Sequence, residues 1–174
     1  MRQSAMIRRL TVAAMFMARN IILSLSILSI PVPGGHLYLN DNIICTAALL
    51  LDPFSAFVVG GVGSFIGDML FYPAPMFVSL ATHGLQAVAI SLCSRHLFKK
   101  HPLAGAIVGV LLGAVIMVTG YTLGRAYVYA TPEYAIVKLP YEILQAALGV
   151  IAGPILCFGC DLRGKLSRIL MQEN

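Results

Sequence analysis

Residues 43–71, IICTAALLLDPFSAFVVGGVGSFIGDMLF, decide how this chain is folded. A membrane-crossing helix takes roughly 20 apolar residues, so this run is long for one crossing and short for two. Asp52-Pro53 stands inside it. Proline fixes its own backbone and disfavours helix in the residue before it. Asp52-Pro53 therefore reads as a tight turn between two short helices.

Four further apolar runs flank this one: Leu10–Ile30, Met76–Cys93, Leu103–Leu123 and Ile136–Phe158. Of the 174 residues, 59% are apolar and 11% charged, and the mean hydropathy is +0.86. A soluble domain of this length needs a polar coat that the composition does not supply. The length allows about six crossings and leaves no room for a soluble catalytic domain.

Charge chooses between five spans and six. Arg2, Arg8 and Arg9 precede the first run, Arg95, Lys99 and Lys100 follow the Met76–Cys93 run, and Arg163, Lys165 and Arg168 follow the last. Six spans put all three clusters on one side, as the positive-inside rule asks; five do not. The expectation is an all-α, single-domain bundle over residues 1–174. It has six transmembrane helices, the second and third short and joined at Asp52-Pro53, in a cell membrane with both termini cytoplasmic. The net charge of +5 is read as these membrane anchors and not as a nucleic-acid surface. The stretch after Arg8 and Arg9 lacks a small-residue cleavage site and is read as a retained first span.

Outer loops are expected at Pro31–Asn42, Tyr72–Pro75 and Ala126–Ala135, and inner turns at Asp52-Pro53 and Ser94–Pro102. Pro31–Asn42 holds two prolines and Gly34-Gly35 before Leu37, Tyr38 and Leu39. It reads either as an ordinary connection or as a lid with an apolar tip. Cys45, Cys93, Cys157 and Cys160 lie in or beside apolar segments and read as small membrane-buried residues, with no zinc site among them. Gly105, Gly109 and Gly113, then Gly63 and Gly67, then Gly149 and Gly153 make smooth stripes that let backbones approach closely. Gly60-Gly61 would also admit a ligand or partner near the backbone. Ala14 and Ala18 form a small-xxx-small pair on the first helix.

Polar residues inside apolar runs are costly to bury and tend to face a cavity. Asp68, His83, Glu142 and Gln145 all fall within about 15 Å of the expected outer surface. Glu142 and Gln145 share a helix face. Two readings stay open: an i,i+4 ion pair between Lys138 and Glu142, or a polar pocket open to the outside. Arg19 and Asn20 lie deeper and are either the pocket floor or a bundle-stabilising pair. No HExxH, GxSxG or DxxxD cluster occurs, which counts against a small polytopic enzyme; an assembly subunit is the other alternative class.

Residues 37–72, LYLNDNIICTAALLLDPFSAFVVGGVGSFIGDMLFY, and residues 139–149, LPYEILQAALG, carry a resemblance. With Ala14 and Ala18 as an AxxxA pair, the chain resembles the S component, the substrate-binding membrane subunit, of energy-coupling factor (ECF) vitamin transporters. The group it is most similar to is the riboflavin/hydroxymethylpyrimidine/pyridoxine-like one. The resemblance places Gln145 at the family's glutamine and Gly67-Asp68 at the end of its third helix. It departs from the group at Asn40 (often glycine), His83-Gly84 (often lysine-glycine) and Glu142 (often asparagine). What it implies is capture of a vitamin at the outer face, association with a membrane coupling (T) subunit and two ATPases, toppling in the bilayer, and release inside. No P-loop pattern occurs in this chain, so ATP hydrolysis falls to the partners. No cofactor is expected.

The resulting expectation for the site is Tyr38, Asn40, Asp68, His83, Glu142, Gln145 and Asn20 for substrate, and Ala14 and Ala18 for partner docking, with the glycine stripe at 105, 109 and 113 as second choice. The expected ligand is a pyridoxine-like or hydroxymethylpyrimidine-like heterocycle, with riboflavin or a 7-deazaguanine-type base as alternative.

Overall fold

The computed structural model describes residues 2–25, 29–33, 35–98 and 100–171. Gly34 of the expected lid, Lys99 of the second basic cluster and residues 26–28 of the first apolar run lie outside the described residues. Seven helical rods follow one another: α1 (Arg2–Leu23), α2 (Asn40–Leu50), α3 (Pro53–Phe71), α4 (Met76–His96), α5 (Pro102–Tyr129), α6 (Pro132–Gly159) and α7 (Leu162–Met171). Between α1 and α2 lies a small antiparallel hairpin of β1 (Ile30–Val32) and β2 (Gly35–Leu37), with Pro31 opposite His36. The protein is an all-α membrane bundle carrying one short hairpin.

Four rods, α3 to α6, are long and apolar enough to cross a membrane. The expected count of six spans is not matched. α2 has 11 residues, a rise of roughly 16 Å, against a hydrocarbon core of about 30 Å. α1 is long enough but carries Arg8, Arg9 and Arg19. The chain also adds α7, where the basic cluster after the last span had been read without a helix. α3 runs 19 residues and is not short.

The Asp52-Pro53 turn has a clear local cause. Leu51 ends α2 in extended backbone, and Asp52 caps α3 by accepting from the Ser55 N–H at 3.1 Å, with Pro53 in the first helical turn. The rods widen into π turns at Val58–Val62, Arg125–Tyr129 and Ile155–Gly159. The second of these extends α5 into what had been expected as the outer loop Ala126–Ala135.

The core is made of small and branched residues: Ile44, Ala48, Ala87, Ile90, Ala106 and Val110 are fully buried. Cys45 and Cys157 are buried with them, whereas Cys160 is exposed. The glycine stripes pack inside the chain. A Cβ on Gly105 or Gly109 would meet the carbonyl oxygens of Leu97 at 2.6 Å and Ile90 at 3.0 Å, so this stripe faces α4 and is not a free docking surface. A Cβ on Gly60 would sit 2.8 Å from the His83 carbonyl oxygen and 2.9 Å from the Ala87 methyl. The Gly60-Gly61 step therefore serves the α3–α4 contact.

Gly60→Leu should cost about 1–3 kcal/mol of stability, because backbone cannot yield as a flexible side chain can. Thermal unfolding in detergent is the measurement. Gly159→Ala, whose Cβ would meet only the Ile155 side chain at 3.7 Å, should leave the midpoint where it is.

Candidate functional site

The site starts from the buried stripe of α6. Ala135, Lys138, Glu142, Gln145, Ala146, Gly149 and Gly153 recur at three- and four-residue steps and are all buried. Three polar side chains thus enter the bundle on one face. They meet Tyr38 after the hairpin, Asn40 at the start of α2, Asp68 near the end of α3, and His83 on α4. Together these line one open cavity of about 310 Å³ at one end of the bundle. Six of the seven expected site residues are brought together there.

Asn20 is not. It is fully buried, and its Nδ2 donates to the Val59 carbonyl at 2.8 Å, inside the first π turn, and to Ser64 Oγ at 3.1 Å. Its neighbour Arg19 is exposed, about 100° round α1 from it, and neither lines the cavity.

Electrostatic pairing differs from the i,i+4 expectation. Glu142 Oε1 accepts from Arg125 Nη2 at 2.7 Å, and Glu142 Oε2 lies 3.3 Å from Thr122 Oγ1. Lys138 Nζ instead donates to the His36 carbonyl and ties α6 to the hairpin. Arg125 reaches Glu142 from the π turn that ends α5, and its guanidinium also lies over the Tyr129 ring at 5.5 Å. Read as a residue at the edge of an outer loop, Arg125 gave no sign of this role.

Asp41 was also read as a loop residue. It lies in the first turn of α2, 1% exposed, and accepts from Gln86 Nε2 at 2.8 Å and Gln145 Nε2 at 2.6 Å. The Gln86 amide nitrogen is committed to a carboxylate, so its oxygen faces His83 Nδ1 at 2.7 Å. His83 Nδ1 must then be the donor, and Nε2 is the acceptor when the ring is neutral. The spacing of Gln86 three residues after His83, on an apolar helix, was the available signal. Gln145 Oε1 accepts from the Tyr38 N–H at 3.0 Å, so both ends of the Gln145 amide are occupied. Its part is to hold the Tyr38 segment in place.

The remaining groups supply hydrogen-bond capacity and flat surface. Tyr121 donates to Ser79 Oγ at 2.6 Å, and Ser79 Oγ donates onward to Asp68. The His83 and Tyr121 rings meet edge-on at 5.1 Å. Asn40 Oδ1 is buried with no hydrogen-bond partner among the described residues, a costly state unless a ligand donor meets it. Tyr72, Tyr129 and Tyr134 complete the aromatic wall.

Ala14 and Ala18 lie on the exposed face of α1, next to Leu10, Met15 and Ile22, all more than half exposed.

Two comparisons bear on this arrangement. The sequence model of the family described as "ECF-type riboflavin transporter, S component" matches residues 4–160. A protein of Pyrococcus woesei, described as an uncharacterized protein in the gap 3' region, is 32% identical over 126 residues, covering 71% of this chain and 82% of that protein.

The site geometry separates a binding residue from a packing one. Asn40→Leu should weaken ligand binding by roughly tenfold or more, the scale of one lost buried hydrogen bond, with little change in thermal stability. Asn20→Leu should do the reverse, lowering stability by about 1 kcal/mol with affinity intact. Calorimetric titration and thermal unfolding of both variants would expose a misassignment of either.

Proposed function

Because the chain belongs to the S-component family of ECF-type riboflavin transporters, a family of transport subunits, we propose that it captures a small water-soluble aromatic heterocycle at the outer face of a cell membrane. In this reading α1 to α6 all traverse the bilayer, α2 as a half-length helix completed by the hairpin, and both termini are cytoplasmic. ATP hydrolysis belongs to two partner ATPases acting through a membrane coupling subunit.

The observation that carries the substrate reading is the cavity's excess of acceptors beside aromatic rings. Asp68, Asn40 Oδ1 and His83 Nε2 offer acceptors, while both cations are engaged, Arg125 by Glu142 and Lys138 by the His36 carbonyl. A ligand rich in O–H and N–H donors fits; a phosphate ester, which asks for available cationic donors, does not. The volume of about 310 Å³ is at the lower end for small-molecule sites, roughly 300–1,000 Å³. A pyridoxine-like or hydroxymethylpyrimidine-like heterocycle satisfies both conditions. Riboflavin is the second reading, supported by the family description itself.

Glu142 is read as holding Arg125 away from the ligand. Glu142→Ala would leave Arg125 without this partner beside the ligand, where a cation disfavours a donor-rich neutral heterocycle, so it should weaken binding of the true ligand roughly tenfold. The ligand is first identified by mass spectrometry of what the purified protein retains, against a panel of pyridoxine, hydroxymethylpyrimidine and riboflavin with their phosphates. An unchanged dissociation constant for Glu142→Ala, or preference for a phosphorylated form, would defeat this reading of the charges.

Ala14 and Ala18 are the proposed docking patch for the coupling subunit, since close helix packing depends on small side chains. Ala14→Trp and Ala18→Trp should leave ligand affinity within about twofold, because exposed sites tolerate substitution, while ATP-driven uptake with co-expressed partners falls to background. Undiminished uptake by the double variant would move the docking surface elsewhere.

A further inference from the structure

A second cavity, also about 310 Å³, lies at the other end of the bundle. Its walls are Arg9 of α1, the α2–α3 turn at Leu51 and Asp52, Arg95 near the end of α4, and Arg163 and Leu166 of α7. Arg9 and Ser24, which lines the first cavity, are 15 residues apart on α1, or roughly 22 Å along its axis. The two cavities therefore lie toward opposite ends of the bundle.

We propose that this second cavity binds the phosphate headgroup of an anionic phospholipid. Arg9, Arg95 and Arg163 all line it, and like charges that share one cavity repel unless an anion joins them. The one carboxylate in the wall, Asp52, is attracted by Arg95 and offsets one positive charge of three. Asp52 is committed to its own helix, accepting from Ser55 Oγ at 2.8 Å and from the Ser55 N–H at 3.1 Å. Arg95 is held in place by the last carbonyls of α2, donating to Leu51 at 3.3 Å and Leu50 at 3.2 Å. Arg163 lies over the Phe158 ring at 5.6 Å. Arginine presents a planar fork that matches phosphate oxygens.

The rest of the cavity favours an amphiphile over a free anion. Leu50, Leu51 and Leu166 line it beside the cations. Met6, Ile7 and Leu10, around Arg9 on α1, are each more than half exposed, as expected of a surface that meets acyl chains. α7 carries Arg163, Lys165 and Arg168 interleaved with Leu162 and Leu166, the composition of a helix that rests in the membrane interface. A basic pocket between helices at that depth is a recurrent way of holding an acidic headgroup. The inference needs the membrane setting of the bundle and not the substrate proposed above.

The test uses the full chain in micelles doped with phosphatidylglycerol or phosphatidylcholine, read by native mass spectrometry and by thermal unfolding. The wild-type chain should retain phosphatidylglycerol in preference, and only that lipid should raise its unfolding temperature. Arg9→Gln combined with Arg163→Gln should reduce the preference roughly tenfold or more, given the contribution expected of each interfacial cation. Phosphatidylcholine adducts and vitamin affinity should stay unchanged. Equal retention of the two lipids by the wild-type chain overturns the proposal, and so does an undiminished preference in the variant. Stabilisation by inorganic phosphate with no lipid preference would assign the cavity to a soluble anion instead. The wild-type comparison decides the matter even if the double variant fails to fold, and vitamin binding is scored separately in every sample.

Discussion

Asp41 is a carboxylate enclosed in an apolar bundle, and much of the structure is arranged to satisfy it. A buried charge is tolerable only when its oxygens are met by donors. Gln86 from α4 and Gln145 from α6 supply them. Each glutamine then has a carbonyl oxygen left over. One is met by His83, the other by the backbone N–H of Tyr38. A single carboxylate on the 11-residue α2 thereby ties together three helices and the segment that leaves the hairpin. This compensates for the shortness of α2, which cannot anchor itself by length.

The same economy of polar groups shapes the cavity above it. Arg125 and Lys138 would make an isolated polar pocket strongly cationic. Each is instead given a protein acceptor, Glu142 for one and the His36 carbonyl for the other. The consequence is a cavity whose open capacity is that of acceptors and aromatic faces. The hairpin is held by two bonds to α6, at His36 and Tyr38.

Much of this was legible before any coordinates. Hydropathy located the apolar runs, the Asp52-Pro53 pair located the turn, and isolated polar residues in apolar runs pointed to Asp68, His83, Glu142 and Gln145, which line one cavity with Tyr38 and Asn40. What escaped had a common physical cause, because polarity read along a sequence cannot say where a helix begins. Asp41 sits one residue inside α2, and Arg125 lies in a π turn that prolongs α5. Asp41 was assigned to the loop Pro31–Asn42 and Arg125 only to the outer face, beside the loop Ala126–Ala135, and near water charge needs no explanation. Asn20 erred the other way: a polar residue in an apolar run need not face a cavity when a widened turn leaves a carbonyl for it to bind. The seventh helix was hidden because a basic, amphipathic segment looks like a tail to any measure of mean apolarity.

The two cavities are separated by the apolar core. Ile44, Ala48, Ile90, Ala106 and Val110 are completely buried between them, and the polar network around Asp41 is already saturated. Among the described residues, the buried hydroxyls beyond that network, Thr46, Ser91 and Ser94, are each spent on a carbonyl of the bundle, which leaves a solute bound at the first cavity little to bind along the bundle axis. Opening one would mean parting close glycine-mediated contacts such as that of Gly60 with the backbone of α4, in an interior whose packing resists partial opening. Under the proposed function, release on the other side is then more readily achieved by reorienting the bundle as a body than by opening a channel through it. In that reading the demand falls on the outer surfaces of the bundle, among them the exposed face of α1, where Ala14 and Ala18 present small side chains.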